Sequence, residues 1–244
     1  MTDLPAFVTA PAHIRVVDFG HVLVLVDYRS GRVQGLLPAA AEHWRQIART
    51  GRTTDLPSAL AEQFLGAGLL SPAAVPAPWR SPALMAAPDA SWGSTEHPAG
   101  VDRPARAPVG VTLTAASALT AILAVKCVGS PATAMHRLIR TIHLAASTCH
   151  HQASPYQAAA AVRAVRGAAW HSPARTACLE ESAAAVLLLA ARRLGITWCH
   201  GVAADPVRLH AWVQTEDGSP VAEPPSTLAY TPVLTLGARH RHQL

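Results

Sequence analysis

The chain has few aromatic and few charged side chains, and its apolar runs are short. Phe, Trp and Tyr account for 5% of the 244 residues and charged residues for 14%, whereas half of the chain is apolar, much of it alanine. The longest apolar runs, Val111–Val125 and Ala183–Ala191, fall short of the roughly 20 residues that a membrane span requires. We therefore expect a core rich in small side chains and helix formers, and no membrane association.

A signal peptide and a basic stripe are also missing. The segment Met1–Pro5 has neither the basic nor the apolar region of a secretory signal, so we expect a cytoplasmic protein with reduced thiols. The net charge is +5, from 20 basic and 15 acidic residues, and the basic residues are scattered along the chain. This pattern disfavours nucleic-acid binding and suits an acidic peptide as a partner.

The cysteines and histidines lack the spacing of a zinc site. The segment Cys149–His151 together with His171 is one candidate, but it matches no zinc pattern, and helical neighbours diverge. Cys199 and His200 are adjacent in a predicted strand, so their side chains point to opposite faces. We predict neither a metal nor a cofactor.

Proline is dense between positions 72 and 108, and it divides the chain. Because proline removes backbone donors and blocks helix formation, we predict a linker over residues 76–108. The flanking domains are then residues 1–75 and 109–244. Trp79 and Trp92 within the proline-rich segment indicate that part of it docks on a domain surface.

The first domain has three strand signals followed by two helix signals. The strand signals are rich in valine and cover Ile14–Phe19, His21–Tyr28 and Arg32–Leu37. Pro38 opens a helix whose apolar face carries Ala41, Trp44, Ile47 and Ala48. A second helix covers about Leu56–Leu65 and ends at Gly66 and Gly68, with core positions Leu60, Phe64 and Leu65. This order predicts a small α+β, winged-helix-like module.

The second domain has the opposite order, helices first and then strands. The helix patterns cover Leu113–Cys127, Thr133–Ser147, Ser154–Arg166 and, ending before Gly195, Cys178–Arg193. The strand patterns cover Ile196–Ala203, Leu209–Thr215, Ser219–Ala222 and Ala229–Leu236, with a hairpin turn at Glu216–Gly218. We predict an α+β fold with an antiparallel sheet.

One thiol, one imidazole and one carboxylate follow each other in an order that suits nucleophilic catalysis. Cys178 begins a helix, where the dipole and the unpaired N–H groups favour a thiolate. His210 lies 32 residues later in an apolar strand, on the same face as Trp212, which would shield the ring from water. Glu223 follows a turn 13 residues further on and would orient the imidazole.

Each of these residues also has a plainer interpretation. A buried cysteine is often a small apolar side chain, and a lone strand histidine is often structural. Asp217 is an alternative acid, although it lies in the turn, and Asp205 precedes Pro206 and suits a turn role. Glu180 and Glu181 would oppose a thiolate unless they point outward.

Four segments of the second domain resemble a known family. Cys178–Ser182, Thr197–Val202, Asp205–Val213 and Gly218–Glu223 look like the leader peptidases of lasso peptide biosynthesis, which are transglutaminase-like proteins. The resemblance covers roughly residues 109–236 and implies a papain/transglutaminase-like fold with Cys178 as nucleophile, His210 as base and Glu223 as acid. The family often has Asp in place of Glu223 and a basic residue in place of Glu181.

The first domain resembles the peptide-recognition element of the same pathway. Such elements bind a leader peptide as an extra strand on their third strand and against a helix, which is a familiar mode of peptide recognition. The resemblance therefore implies leader-peptide binding by Arg32, Val33, Gln34, Gly35, Leu36, Leu60 and Phe64. An ordinary winged-helix fold with another partner is the alternative.

Together these resemblances imply a cysteine endopeptidase for a ribosomally made precursor. It would bind the leader of a lasso precursor peptide and cleave it off before a partner cyclase closes the ring. Two alternatives remain open from the sequence. One is a transglutaminase-like acyltransferase that gives the thioester to an amine, and the other is a non-catalytic protein that presents the precursor to other enzymes.

Overall fold

The computed structural model describes residues 4–79, 109–204 and 206–237. The chain separates into two compact units, Met1–Ala87 and Pro88–Leu244, and each is described by itself. Most of the predicted linker, the suggested role of Trp92 and the alternative acid Asp205 lie outside the described residues.

The first unit combines a three-stranded sheet with two helices. Strands β2 (Ile14–Asp18), β3 (Leu23–Asp27) and β4 (Val33–Leu36) form an antiparallel sheet in that order, as their valine-rich pattern predicts. The helices are α1 (Pro38–Thr50) and α2 (Ser58–Gly66). A second, two-stranded sheet pairs β1 (Phe7–Thr9) with β5 (Ser71–Ala73). These two strands were not predicted, because three residues are too few for an alternating pattern to stand out.

The core of this unit lies under α1. The predicted apolar face is confirmed, since Ala41, Trp44, Ile47 and Ala48 are all fully buried. Phe64 of α2 meets Trp44 edge to face at a centroid distance of 5.5 Å. Helix α1 ends at Gly51, whose φ is +66° and where a Cβ would lie only 2.8 Å from the backbone nitrogen of Ala77. Glycine is therefore needed both for the left-handed cap and for the close approach of the chain.

Trp79 anchors the start of the proline-rich segment on this core. Its ring packs on Trp44 at a centroid distance of 5.7 Å, and its backbone N–H donates to the carbonyl of Ala48 at 2.9 Å. The prediction that Trp79 docks on a domain surface is thus confirmed.

The described part of the second unit, from residue 109 onward, begins with the helices α3 (Val109–Cys127), α4 (Ala134–Ser147), α5 (Pro155–Trp170) and α6 (Cys178–Ala190). Ser154 and Gln157 form a capping box at the start of α5, which the Ser-Pro pair predicts. The predicted end of α6 at Arg193 is wrong. The helix stops at Ala190, and Arg193 takes a left-handed φ of +60° two residues before Gly195, which lies in strand β7 (Leu194–Gly195).

Helix α3 is the one described helix long and apolar enough to cross a membrane by length and composition. The qualifying window is Gly110–Cys127, of which 17% is buried within the unit. Ala115, Leu119 and Ile122 are its buried side chains, and the helix packs against α4, α5 and α6. One such helix is weak evidence for a span, because helices of ordinary domains pass the same test.

An antiparallel sheet follows the helices. Its strands are β8 (Thr197–Ala204), β9 (Val207–Gln214) and β10 (Thr231–Leu236), in the order β10-β8-β9. A short parallel pair joins β6 (His151–Gln152) to β7. The predicted strand Ser219–Ala222 is wrong. Within it only Pro220 forms an isolated bridge, with Gln214, because proline has no N–H for a ladder.

Candidate active site

Cys178 is the first residue of α6, as predicted, and its side chain is partly exposed. The Glu180 carboxylate accepts a hydrogen bond from the backbone N–H of Ala177 at 2.9 Å and so caps the helix. The indole N–H of Trp198 on β8 donates to the Ser182 hydroxyl at 2.9 Å in a buried contact. This bond connects the first turns of α6 to the sheet and so helps to position the Cys178 thiol.

His210 and Glu223 meet as a hydrogen-bonded pair. The His210 Nε2 lies 3.0 Å from Oε2 of Glu223, whose side chain is only 4% exposed. The N–H of Val221 donates to the carbonyl of Val213 at 2.9 Å, which returns the chain alongside β9 and delivers Glu223 to the imidazole. Because Nε2 faces the carboxylate, Nδ1 is the ring nitrogen that remains for Cys178, whose interaction with the imidazole raises the pKa of His210.

The surroundings of His210 favour its protonated form. Burial of the ring opposes protonation, but hydrogen bonds to Cys178 and Glu223 and their negative charges outweigh it and raise the pKa of His210 to about 9. His200 on the neighbouring strand behaves oppositely. Burial, with a smaller contribution from the charge of His210, lowers the pKa of His200 to about 4. The two neighbouring strands therefore hold one imidazole whose surroundings favour the protonated form and one whose surroundings favour the neutral form.

Aromatic rings enclose His210 on two sides. Trp212 stacks on it at a centroid distance of 5.8 Å, as strand alternation predicts, and Tyr230 lies at 5.2 Å. Gly201 sits opposite His210 across the β8–β9 ladder. A Cβ there would lie 2.7 Å from the carbonyl oxygen of Thr231 and 2.8 Å from the Trp212 ring. Because Gly201 has no side chain, the Trp212 indole has room to pack beside it.

Cations neutralise the acidic residues near the thiol. Glu180 is buried and pairs with Lys126 of α3. Glu181 is partly buried, and its Oε2 lies 3.8 Å from Nε of Arg166 on α5. Burial raises the pKa of Glu181, although the charge of Arg166 opposes this shift. Glu180 and Glu181 therefore do not point outward into solvent, and their charges are paired with cations instead.

Arg166 also holds Glu223. Its Nη2 donates to Oε1 of Glu223 at 2.5 Å, and its Nη1 donates to the carbonyl of Ala222 at 2.5 Å. No sequence pattern indicates this contact, because Arg166 lies 57 residues before Glu223 in a helix of ordinary composition. Tyr230 and Ser182 were missed for the same reason, since each reaches the site only through the tertiary fold.

The alternative residues lie elsewhere or have other partners. Asp217 is exposed in the turn, as expected, and accepts from the Thr215 hydroxyl at 2.5 Å and the Ser219 N–H at 3.1 Å. Cys199 is buried, which raises its pKa to about 12, and the Cys149 thiol donates to backbone carbonyls. Within residues 4–79, 109–204 and 206–237, no cluster of His, Cys, Asp or Glu is arranged to hold a metal.

The residues expected to bind a leader peptide lie on and beside β4. In the described part of the chain this strand pairs with β3 alone, so its other side is an edge of the sheet. Arg32 and Gly35 are exposed, Val33, Gln34 and Leu60 are partly buried, and Leu36 and Phe64 are buried. Phe64 packs on Trp44 and would support such a groove from beneath rather than line it.

Residues 128–235 match the family model of the transglutaminase-like superfamily. The second unit therefore contains a transglutaminase-like domain, and the match includes Cys178, His210, Glu223 and Arg166. No curated protein and no solved structure matches the chain.

Proposed function

We propose that this protein is a cysteine peptidase that removes the leader from a ribosomally made lasso precursor peptide. The observations that carry the chemical part are the hydrogen bond between His210 and Glu223 and the influence of Cys178 on the same imidazole, all within a transglutaminase-like domain. A nucleophile, a base and an orienting acid in this sequence of contacts suit acyl transfer through a thioester.

The proposed reaction begins with the thiolate of Cys178, paired with the His210 imidazolium. The thiolate attacks the scissile carbonyl, and the imidazolium then protonates the leaving amine as the C–N bond breaks. The neutral imidazole next takes a proton from water, whose oxygen attacks the thioester and releases the leader acid and the thiol. Glu223 accepts the Nε2–H and holds the ring in orientation throughout.

The oxyanion would be bound at the start of α6. Cys178 is the first helical residue, and first-turn N–H groups have no acceptor within a helix. The backbone N–H of Cys178 is therefore the donor we propose, with the helix dipole adding to its effect.

The first unit would act as a winged-helix-like recognition module. The free edge of β4 offers backbone groups to an extended leader peptide, and the apolar surface beside Leu60 offers selectivity. Tethering the leader through the same chain raises the effective concentration of the scissile bond near Cys178 to about the millimolar scale. The released core would then pass to a lasso cyclase in the cytoplasm.

The decisive experiment incubates the purified full chain with a precursor peptide encoded beside its gene and weighs the products. The Cys178→Ala variant serves as the test, and Cys127→Ser, which removes an exposed thiol, serves as the matched control. We expect the intact protein and the control to release leader and core, and Cys178→Ala to lose at least about 10³-fold in rate.

The same reaction separates the alternatives when it is repeated with methylamine and with the cyclase and nucleotide added. A leader that carries the mass of methylamine would favour the acyltransferase. A precursor that binds but stays uncut under every condition would favour a non-catalytic presenting protein and would exclude the peptidase.

A further inference from the structure

We propose that Arg166 is a positioning residue of this site, which acts by fixing the Glu223 carboxylate and the turn that carries it. This inference rests on the proposed function, because it assigns a role within the same thiol chemistry. The two oxygens of Glu223 have separate partners, Arg166 Nη2 at Oε1 and His210 Nε2 at Oε2. The guanidinium thereby determines which oxygen is presented to the imidazole.

The turn before Glu223 needs the same support. Ala222 has a φ of +53°, a left-handed conformation that a residue with a Cβ disfavours. Arg166 Nη1 donates to the carbonyl of this residue, so one guanidinium grips both the backbone of the turn and the side chain that follows it. Two donors held in one planar guanidinium fix the orientation of the Ala222 carbonyl and the Glu223 carboxylate relative to each other, which a single ammonium group cannot do.

Burial makes this contact consequential. The side chain of Glu223 is 4% exposed, and a carboxylate removed from water is costly unless cations or donors surround it. Arg166 is itself held from α6, because Glu181 lies 3.8 Å from its Nε. The guanidinium thus links α5, α6 and the turn after β9, the elements that must keep their spacing for thiol, imidazole and carboxylate to align.

The test measures the reactivity of the Cys178 thiol and needs no precursor. The full-length protein is treated with iodoacetamide at neutral pH, and alkylation of the peptide that contains Cys178 is followed by mass spectrometry, with exposed Cys127 as internal reference. The variants are Arg166→Gln, Glu223→Gln, the double variant and Arg166→Lys. Arg163→Gln is the matched control, since it removes an exposed arginine one turn earlier on α5.

We expect Arg166→Gln to slow alkylation of Cys178 about tenfold or more, because a charged hydrogen bond to a buried acid is lost. In the Glu223→Gln background, Arg166→Gln should slow alkylation of Cys178 by a further factor of less than about two. A factor of that size is no larger than the deviation from additivity that independent sites show. Arg166→Lys should recover part of the rate, and Arg163→Gln should leave it unchanged.

Two results would overturn the inference. One is an alkylation rate in the double variant that is lowered by the product of the two single-variant factors, since Arg166 would then act independently of Glu223. The other is an Arg166→Gln protein that melts at a lower temperature but retains the alkylation rate of the parent. If the precursor stays uncut while the effects of Arg166→Gln and Glu223→Gln on alkylation remain non-additive, the result would count against the peptidase and not against the role of Arg166.

Discussion

The two units of the chain bury different kinds of side chain. The first closes over an apolar core in which Trp44, Phe64 and Ile47 meet, and its buried ion pair joins Asp18 to Arg45 beneath a turn. The second has a core of small helix residues, yet it buries Glu180 and Glu223 where α6 meets the sheet. Among the described residues, the first unit therefore sets one buried carboxylate beside an aromatic core, whereas the second sets two buried carboxylates beside the thiol.

This difference indicates where chemistry and where recognition would take place. Buried carboxylates are costly, and a fold that needed only stability would replace them with apolar side chains. Around Cys178 they are paired with Lys126 and Arg166. Burial opposes protonation of His210, but Cys178 and Glu223 outweigh it and raise the pKa of His210 to about 9. The first unit offers a sheet edge instead, which suits binding rather than reaction.

Changing Glu223 should have the largest effect on the second unit. Glu223→Gln removes the negative charge that stabilises the imidazolium of His210, and we expect cleavage to slow about 10²-fold or more. In the parent protein the rate should fall as the pH rises through about 9, where His210 loses its proton. In the variant this fall should move to lower pH, because removing the charge lowers the pKa of His210. A pH–rate profile of precursor cleavage measures both effects.

Glu216→Gln is the control for this prediction, since it removes an exposed carboxylate on the preceding turn. It should leave the rate and the alkaline fall in place. If the rate of Glu223→Gln fell at the same alkaline pH as that of the parent, another group would determine this pH, and the assignment of Glu223 as orienting acid would fail.

Truncating Trp44 tests whether the first unit is dispensable for the chemistry of the second. Trp44→Ala leaves a cavity in the core and should destabilise the first unit by about 3–5 kcal/mol. We expect leader binding to weaken sharply, while iodoacetamide alkylates Cys178 at the rate of the parent. Calorimetry of the full chain would follow the lost stability. A slower reaction of Cys178 would show that the stability of the second unit depends on that of the first.

Gly201 offers a smaller change within the second unit. Gly201→Ala places a Cβ against Thr231 and Trp212, and we expect a loss of about 1–3 kcal/mol as the indole shifts, together with slower cleavage. Gly167→Ala is the matched control. Its Cβ would meet no atom within 4 Å, and it lies in α5, so it should stabilise by about 0.5–1 kcal/mol. Thermal unfolding and a cleavage assay of both variants check the pair, and equal stabilities would contradict the steric argument.

The sequence predicted the elements whose signals are local. The apolar face of α1 from Ala41 to Ala48 has a clear 3.6-residue period, and the Ser154-Pro155 pair marks the start of α5, so both are confirmed by the structure. Order along the chain also sufficed to select Cys178, His210 and Glu223, which the fold brings together, although their catalytic roles stay predictions.

Features that depend on distant contacts could not be predicted. Arg166 comes from a different helix, and the pairing of Glu180 with Lys126 joins residues 54 positions apart. No strand forms at Ser219–Ala222, because Pro220 has no N–H to donate to a ladder. Helix α6 ends earlier than predicted, since Arg193 turns left-handed without the glycine that usually marks such a turn.

A charge reversal beside β4 should have the smallest effect, and it tests peptide recognition by the first unit. Arg32 is exposed where the chain enters β4, so a leader strand with acidic residues would pass near it. We expect Arg32→Glu to weaken leader binding about two- to fivefold at low salt, and less at high salt, because exposed ion pairs are weak and screened. Fluorescence titration of the full chain with labelled leader measures this. Arg52→Glu, an equally exposed reversal away from β4, is the control, and equal losses from both would replace edge recognition with a general effect of net charge.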